Sequence, residues 1–125
     1  MTNVACAVIL FGDRFLIAQK KFGPESGLWE FPGGKCHHNE TIKECAVREV
    51  KEELNLDVKP IKVLFVNSIE NDRHGLINLH FIECHCVIWG AQLTEHADVR
   101  LVDQQDLESY PFTEGDIPFV RWLLG

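Results

Sequence analysis

Hydrophobic and polar positions change rhythm several times along this 125-residue chain. Val4–Leu10 is an unbroken apolar run, the pattern of a strand covered on both faces. Gly12-Asp13 reads as a turn into a second strand, Phe15–Gln19. Lys20–Leu28, with two glycines and a proline, reads as a mobile loop. The rhythm then becomes helical from Thr41 to Leu54, where Thr41 followed by Glu44 forms a capping-box pattern. Two alternating stretches, Pro60–Glu70 and Leu76–Trp89, flank Asn71-Asp72-Arg73-His74-Gly75 as a long hairpin. Val99–Val102 adds a strand. Asp116-Ile117-Pro118 opens a last helix, with Phe119, Val120, Leu123 and Leu124 available to pack. Sheet elements with two main helices predict an α+β chain arranged as an α/β/α sandwich.

The first helix carries an anomaly. At about 100° per residue, Glu52 and Glu53 lie roughly 60° and 40° either side of Glu49. Ile42, Cys45 and Ala46, earlier in the helix, point nearly the same way. A stripe that starts apolar therefore ends as a carboxylate cluster. Like charges at these spacings repel, and glutamates near a helix C-terminus oppose its dipole. One reading is a solvated acidic face, with Arg48 pairing Glu52. The other is neutralisation by a hard divalent cation, Mg²⁺ above all. Upstream, Trp29-Glu30-Phe31-Pro32-Gly33-Gly34 is an extended apolar piece expected to break into a Gly-Gly turn, where backbone can approach a ligand. Such a loop before a carboxylate-bearing helix favours a metal–phosphate site.

The segment from Gly34 through Glu40 and Arg48-Glu49-Val50-Lys51-Glu52-Glu53-Leu54-Asn55-Leu56 resembles the Nudix box, G-x5-E-x7-R-E-U-x-E-E-x-G-U, where U is aliphatic. One specified position departs: Asn55 stands where the family has Gly. Asn is the commonest other residue in a left-handed helix cap, so the change bears on stability more than on chemistry. Leu16–Lys20, Leu28–Lys35, Tyr110-Pro111 and Asp116-Ile117-Pro118 resemble the MutT-like branch. The resemblance implies a single Nudix domain over residues 1–125 with a mixed sheet between helices. It also implies a Mg²⁺-dependent enzyme that cleaves nucleoside triphosphates to monophosphate and pyrophosphate, with Mn²⁺ as a substitute ion.

Composition agrees. With 46% hydrophobic residues the chain can build a core, and no apolar run reaches the length of a membrane span. Val4–Phe11 lacks a basic leader and a small-residue cleavage site, so cytoplasm is the expected location. A net charge of −7 argues against a nucleic-acid polymer as partner but admits a nucleotide carried by Mg²⁺. Monomer and homodimer both stay open. The five cysteines are odd in number and scattered, unlike a disulfide framework. Cys84-His85-Cys86 with His80 nearby suggests zinc, but Cys84 and Cys86 share one face of a strand and lack a second ligand pair.

By resemblance, Glu49, Glu52, Glu53 and the Gly33 carbonyl surround the metal, and Arg48 holds the helix carboxylates in place. Glu40 braces the loop against the helix. The general base is Glu49 or else Glu95, a loop glutamate matching one that approaches the metals in MutT-like enzymes and also readable as plain surface. Lys20 matches a phosphate contact or is simply solvated. Glu30 and Phe31 would offer backbone groups to the base edge, with Pro32 beside them, while Phe31 can equally be core. Asp116 either reads the base or caps the last helix. The family's 8-oxoguanine enzyme has an amide there, whereas an ionised carboxylate only accepts. Substrates of 8-oxo-dGTP type and of CTP or 5-methyl-dCTP type both fit. A nucleotide-sensing module without catalysis is the remaining alternative, disfavoured by the intact box carboxylates.

Overall fold

The structure is a computed structural model and describes residues 1–86 and 96–125. Its centre is β1 (Thr2–Phe11), whose alternate side chains feed two separate cores. Ala5, Ala7 and Ile9 point to one face and Cys6 and Val8 to the other, as an uninterrupted apolar run requires. On the first face lies α1 (Ile42–Leu54), packed through Cys45, Ala46, Val50 and Leu54. On the second lie a 3-10 turn (Gln104–Ser109) and α2 (Ile117–Leu124), which bury Leu107, Phe119 and Val120. Phe119 stacks on Phe81 with ring centroids 4.5 Å apart. Each such buried large apolar side chain contributes about 1.5–3 kcal/mol relative to exposure.

The other strands are β2 (Arg14–Lys20), β3 (Trp29–Glu30), β4 (Gly33–Lys35), β5 (Lys59–Asn71), β6 (Gly75–His85) and β7 (His96–Val102). The sheet is mixed. β1 and β6 run parallel along Thr2–Leu10, whereas the β1–β2, β2–β7 and β5–β6 pairs are antiparallel. Gly12, at φ +62°, makes the β1–β2 turn. The two strands pair only at Leu10–Phe15 and Phe11–Arg14 and then part. The Trp29–Lys35 segment fills the gap: β3 pairs with Ala18 and Gln19 of β2, Pro32 accepts from the Ala7 N–H, and β4 pairs with Val4–Cys6 of β1. The candidate site lies along this wedge.

Several expectations change. Gly33 and Gly34 are not a turn; they are paired strand residues, and neither has positive φ. Their smallness matters for another reason. A Cβ on Gly33 would overlap the Ala5 carbonyl, and one on Gly34 would lie 2.5 Å from the Glu49 carboxylate. The Lys20–Leu28 loop is tied at its base by Lys20 N–H to Leu28 and Gly27 N–H to Lys20. The short strands β3 and β4 and the 3-10 turn carry too few residues for a periodic signal. Cys84 and Cys86 pack in the α1-side core, their thiols donating to the Ile82 and Asp57 carbonyls, while His80 bonds Asn3. Burial pushes the Cys84 thiol up to about 12. Among the described residues, no helix is long and apolar enough to cross a membrane.

Candidate active site

Helix α1 is set by local chemistry at both ends. Thr41 Oγ1 accepts from the Glu44 N–H at 3.1 Å, and the Glu44 side chain accepts from the Thr41 N–H at 2.9 Å. Asn55 closes the helix in the left-handed region, φ 55°, with its N–H on Lys51. The register so fixed grades the three carboxylates by burial. Glu53 is 4% exposed, Glu49 is half-buried, and the Glu52 side chain is 57% exposed. The expectation of one inward cluster therefore holds for Glu53 and Glu49, while Glu52 stands at the solvent edge.

Arg48 joins these groups. Its Nε and NH2 reach the two Glu40 oxygens at 2.6 and 2.9 Å, a bidentate pair. NH1 donates to Glu49 at 2.9 Å and to Glu52 at 3.1 Å, and NH2 also donates to the Lys35 carbonyl. The fork thus grips Glu40 bidentately and the helix carboxylates singly. Glu40 in turn accepts from the His37 N–H, and the Arg48 guanidinium holds its carboxyl down to about 2. Loop, strand β4 and helix are locked to one another around the carboxylates.

Beside Glu53 stands His96, which the sequence patterns do not single out. His96 Nε2 is 2.8 Å from Glu30 Oε2 and 3.9 Å from Glu53 Oε1, and its side chain is 1% exposed. These three residues bring one potential ligand atom each within 4.8 Å of one another. Lys20 Nζ is 4.0 Å from Glu30 Oε1. Lys20, Lys21, Phe22, Glu30 and His96 line a cleft of 340 Å³. Glu95 lies outside the described residues.

A second cavity of 200 Å³ shares Glu30 with the first, with Val4, Ile69 and Leu79 among its apolar lining and Glu25, Thr113 and Asp116 among its polar lining. Asp116 is 5% exposed, and its Oδ2 accepts from the Phe31 N–H at 2.8 Å. It makes no side-chain cap bond to α2, so its capping role is overturned. The physical reason is conformational: Asp116 already has helical φ and ψ, whereas a side-chain cap needs extended backbone. Desolvation, opposed by the Phe31 hydrogen bond, raises its carboxyl to about 8. Glu25 Oε2 accepts from the Glu114 N–H at 2.9 Å and ties the Lys20–Leu28 loop across this cavity.

Of the two readings open for Phe31, its ring is core, stacked on Phe112 and edge-on to Phe119, while its N–H is committed to Asp116 at the edge of the second cavity. The expectation for Pro32 changes. Pro32 is fully buried with its carbonyl on Ala7, so it holds the wedge and presents no surface to a ligand. His96 and Glu25 went unread because their partners are distant in sequence. His96 meets Glu30 across 66 positions, and no periodicity reports such a contact.

The NUDIX domain family profile matches residues 1–123. The chain is 30% identical to the CTP pyrophosphohydrolase of Escherichia coli over 124 residues, covering 97% of this chain and 90% of that protein. It is 36% identical to the 8-oxo-dGTP diphosphatase of Proteus vulgaris over 85 residues, covering 66% of this chain and 72% of that one. Among solved structures, the E. coli ORF135 protein superposes with TM-score 0.84 at 28% identity, covering 97% of this chain and 86% of that one. The MutT protein of Methanosarcina mazei, at 20% identity with 98% and 91% covered, shares the fold at the same TM-score. With the box residues assembled on α1 and the profile matched along nearly the whole length, the chain belongs to the Nudix hydrolase family.

Proposed function

We propose that the protein is a Mg²⁺-dependent nucleoside triphosphate pyrophosphohydrolase, converting NTP and water to NMP and pyrophosphate. The observation that carries this reading is the carboxylate set Glu49 and Glu53 with Glu52 beside it, on a helix register locked by Arg48 and Glu40. The donor set fits a hard divalent ion. It offers carboxylate oxygens only, one of them buried, and Gly34 leaves the Glu49 carboxylate room that a Cβ would fill. Glu49, Glu52, Glu53 and the Gly33 carbonyl hold the ion in this reading, with Glu95 as a further candidate. When bound, Mg²⁺ neutralises phosphate oxygen charge and acidifies a nearby water.

The chain's own groups supply position. Arg48 keeps Glu49 and Glu52 oriented without touching substrate, because its donors are committed to carboxylates and to Lys35. Lys20, with Lys21 on the same cleft, faces the polyphosphate. Glu49 accepts the proton of the attacking water, and attack at the β-phosphorus leaves pyrophosphate. The nucleoside base occupies the cavity at Asp116. Raised to about 8, the Asp116 carboxyl is neutral near pH 7, so it donates a proton as well as accepting one. An acid of that kind complements an edge that sets an acceptor beside a donor. The O6/N7–H edge of 8-oxoguanine is such an edge; in unmodified guanine both positions accept.

This favours a modified nucleotide such as 8-oxo-dGTP, and with it a part in clearing damaged nucleotides. The N3/N4–H₂ edge of cytosine is complementary too. The similarity to a CTP pyrophosphohydrolase along nearly the full chain supports that second reading. Incubation with Mg²⁺ and a panel of 8-oxo-dGTP, dGTP, CTP, dCTP, 5-methyl-dCTP and ADP-ribose tests both. Pyrophosphate and nucleoside monophosphate are the expected products, and orthophosphate as sole initial product would overturn the attack position.

A further inference from the structure

Beyond the Nudix box, a nitrogen donor faces the same carboxylate from the opposite side. We infer that Glu30, Glu53 and His96 form a second divalent-cation site, of mixed nitrogen and oxygen character, that takes a transition ion such as Mn²⁺ in preference to Mg²⁺. The inference rests on Glu53 being a metal ligand and goes beyond it, since neither Glu30 nor His96 lies in the box.

The three ligand atoms lie close enough for one ion, in addition to the His96–Glu30 hydrogen bond. His96 Nε2 is 2.8 Å from Glu30 and 3.9 Å from Glu53, and no pair among the three ligand atoms is separated by more than 4.8 Å. Ligands at about 2.1–2.3 Å from an octahedral ion stand roughly 3.0–3.3 Å apart at adjacent positions and roughly 4.2–4.6 Å apart across it. The 2.8 Å pair lies just under the adjacent spacing and the 3.9 Å pair between the adjacent and opposite spacings, so shifts of a few tenths of an ångström would bring the three atoms onto one ion. A proton on Nε2 reaches Glu30 alone, because 3.9 Å is beyond hydrogen-bond distance. A cation between the three reaches both carboxylates.

Burial points the same way. Glu53 and the His96 ring are almost wholly withdrawn from water. Two carboxylates and an imidazole gathered at one dry spot are a ligand set that a bound cation can use. Nε2 is the ring nitrogen directed at Glu30 and Glu53. Nδ1 makes no hydrogen bond among the described residues. The Lys20 ammonium stays 4.0 Å off on the other Glu30 oxygen, toward the cleft. An imidazole ligand sets the preference, because Mg²⁺ takes oxygen ligands whereas Mn²⁺ and later ions accept imidazole more strongly.

The test uses the full chain stripped of metal and loaded with Mn²⁺ alone, read by pulsed EPR and by titration of bound Mn²⁺. Wild type is expected to show ¹⁴N modulation from a directly bound imidazole, persisting under excess Mg²⁺. His96→Gln should lose that modulation and bind one fewer Mn²⁺, or bind it at least tenfold more weakly. Glu49→Gln should keep the modulation. Glu30→Gln provides an independent readout that does not depend on folding of the histidine variant, and should weaken the nitrogen-coupled ion. Absence of ¹⁴N coupling in wild type, or its survival in His96→Gln, would overturn the inference. Either result alongside intact Mg²⁺-dependent pyrophosphate release would sink this site and leave the proposed activity standing; loss of that release would fall on the activity instead.

Discussion

The two ends of the Trp29–Lys35 wedge hold carboxyl groups in opposite electrostatic settings. At the α1 end, Glu40, Glu49 and Glu52 surround the Arg48 guanidinium, which favours the charged form of Glu40. At the α2 end, Asp116 is buried, and desolvation together with the nearby Glu30 and Glu25 charges favours its neutral form against the opposing hydrogen bonds from Phe31 and Thr113. The first end suits gripping cations and polyphosphate. The second suits a base that must be recognised by hydrogen bonds out of water. One chain sets an anionic centre and a carboxyl biased to its neutral form against the same short segment, and the surroundings of each carboxyl make the difference.

Removing charge from the first end should have the largest effect. Glu53→Gln and Glu49→Gln each keep size and remove a charged group, so turnover at saturating Mg²⁺ should fall by at least ~10²-fold. Circular dichroism should show retained folding, and near-normal turnover in either variant would remove that residue from the centre.

Arg48→Lys comes next. A lysine cannot reproduce the fork that spans Glu40, Glu49 and Glu52. Apparent metal affinity should drop by about 10–100-fold, as for loss of a group that orients metal ligands. Gly34→Ala should act the same way by crowding Glu49, whereas Gly33→Ala, which meets the Ala5 backbone, should chiefly lower thermal stability. Isothermal titration and melting curves on the two glycine variants separate these outcomes.

At the second end the effects are smaller and concern choice. Asp116→Asn keeps an acceptor for the Phe31 N–H but fixes donor and acceptor in place. Ratios of kcat/KM among 8-oxo-dGTP, dGTP, CTP and dCTP should shift by about tenfold, within the roughly 1–3 kcal/mol that a hydrogen-bonded base pair contact discriminates. Asp116→Ala strands the Phe31 N–H and should cost about 1–3 kcal/mol of stability as well. Unchanged ratios in the Asn variant would take Asp116 out of base recognition.

A separate effect is on stability against pH, and its sign differs between the ends. The Asp116 carboxyl is raised from 3.8 to about 8, so the folded state binds its proton more tightly than the unfolded state. Its contribution is full below 3.8 and is lost as pH rises toward about 8. Glu40 is lowered from 4.5 to about 2, so its contribution is full above 4.5 and is lost as pH falls toward about 2. Melting temperatures of Asp116→Asn should therefore lose part of the alkaline decline while keeping the acid one. A wild-type melting profile flat from pH 5 to pH 9 would contradict the Asp116 assignment.

Much of the first end was readable in sequence because its chemistry is local. Thr41 and Glu44 cap the helix three residues apart, Asn55 ends it, and Arg48 pairs with Glu49 and Glu52 within one turn. Even Glu40, eight residues from Arg48, lies within the same motif. β1 was legible for a related reason, since an apolar run without alternation has to be covered twice. Residue spacing along a regular element is enough to set such contacts.

The second end belongs to tertiary structure. Asp116 reads equally well as a helix cap or a ligand group until the wedge brings Phe31, 85 positions away, to its oxygen. Gly33-Gly34 looks like a turn until β1 and β2 part and draw it into the sheet. His96 has no pattern of its own and gains its partners only when β7 pairs with β2 and lays it beside Glu30 and Glu53. Burial and long-range pairing set these groups' protonation and partners, and both depend on which strands part and what fills the gap between them.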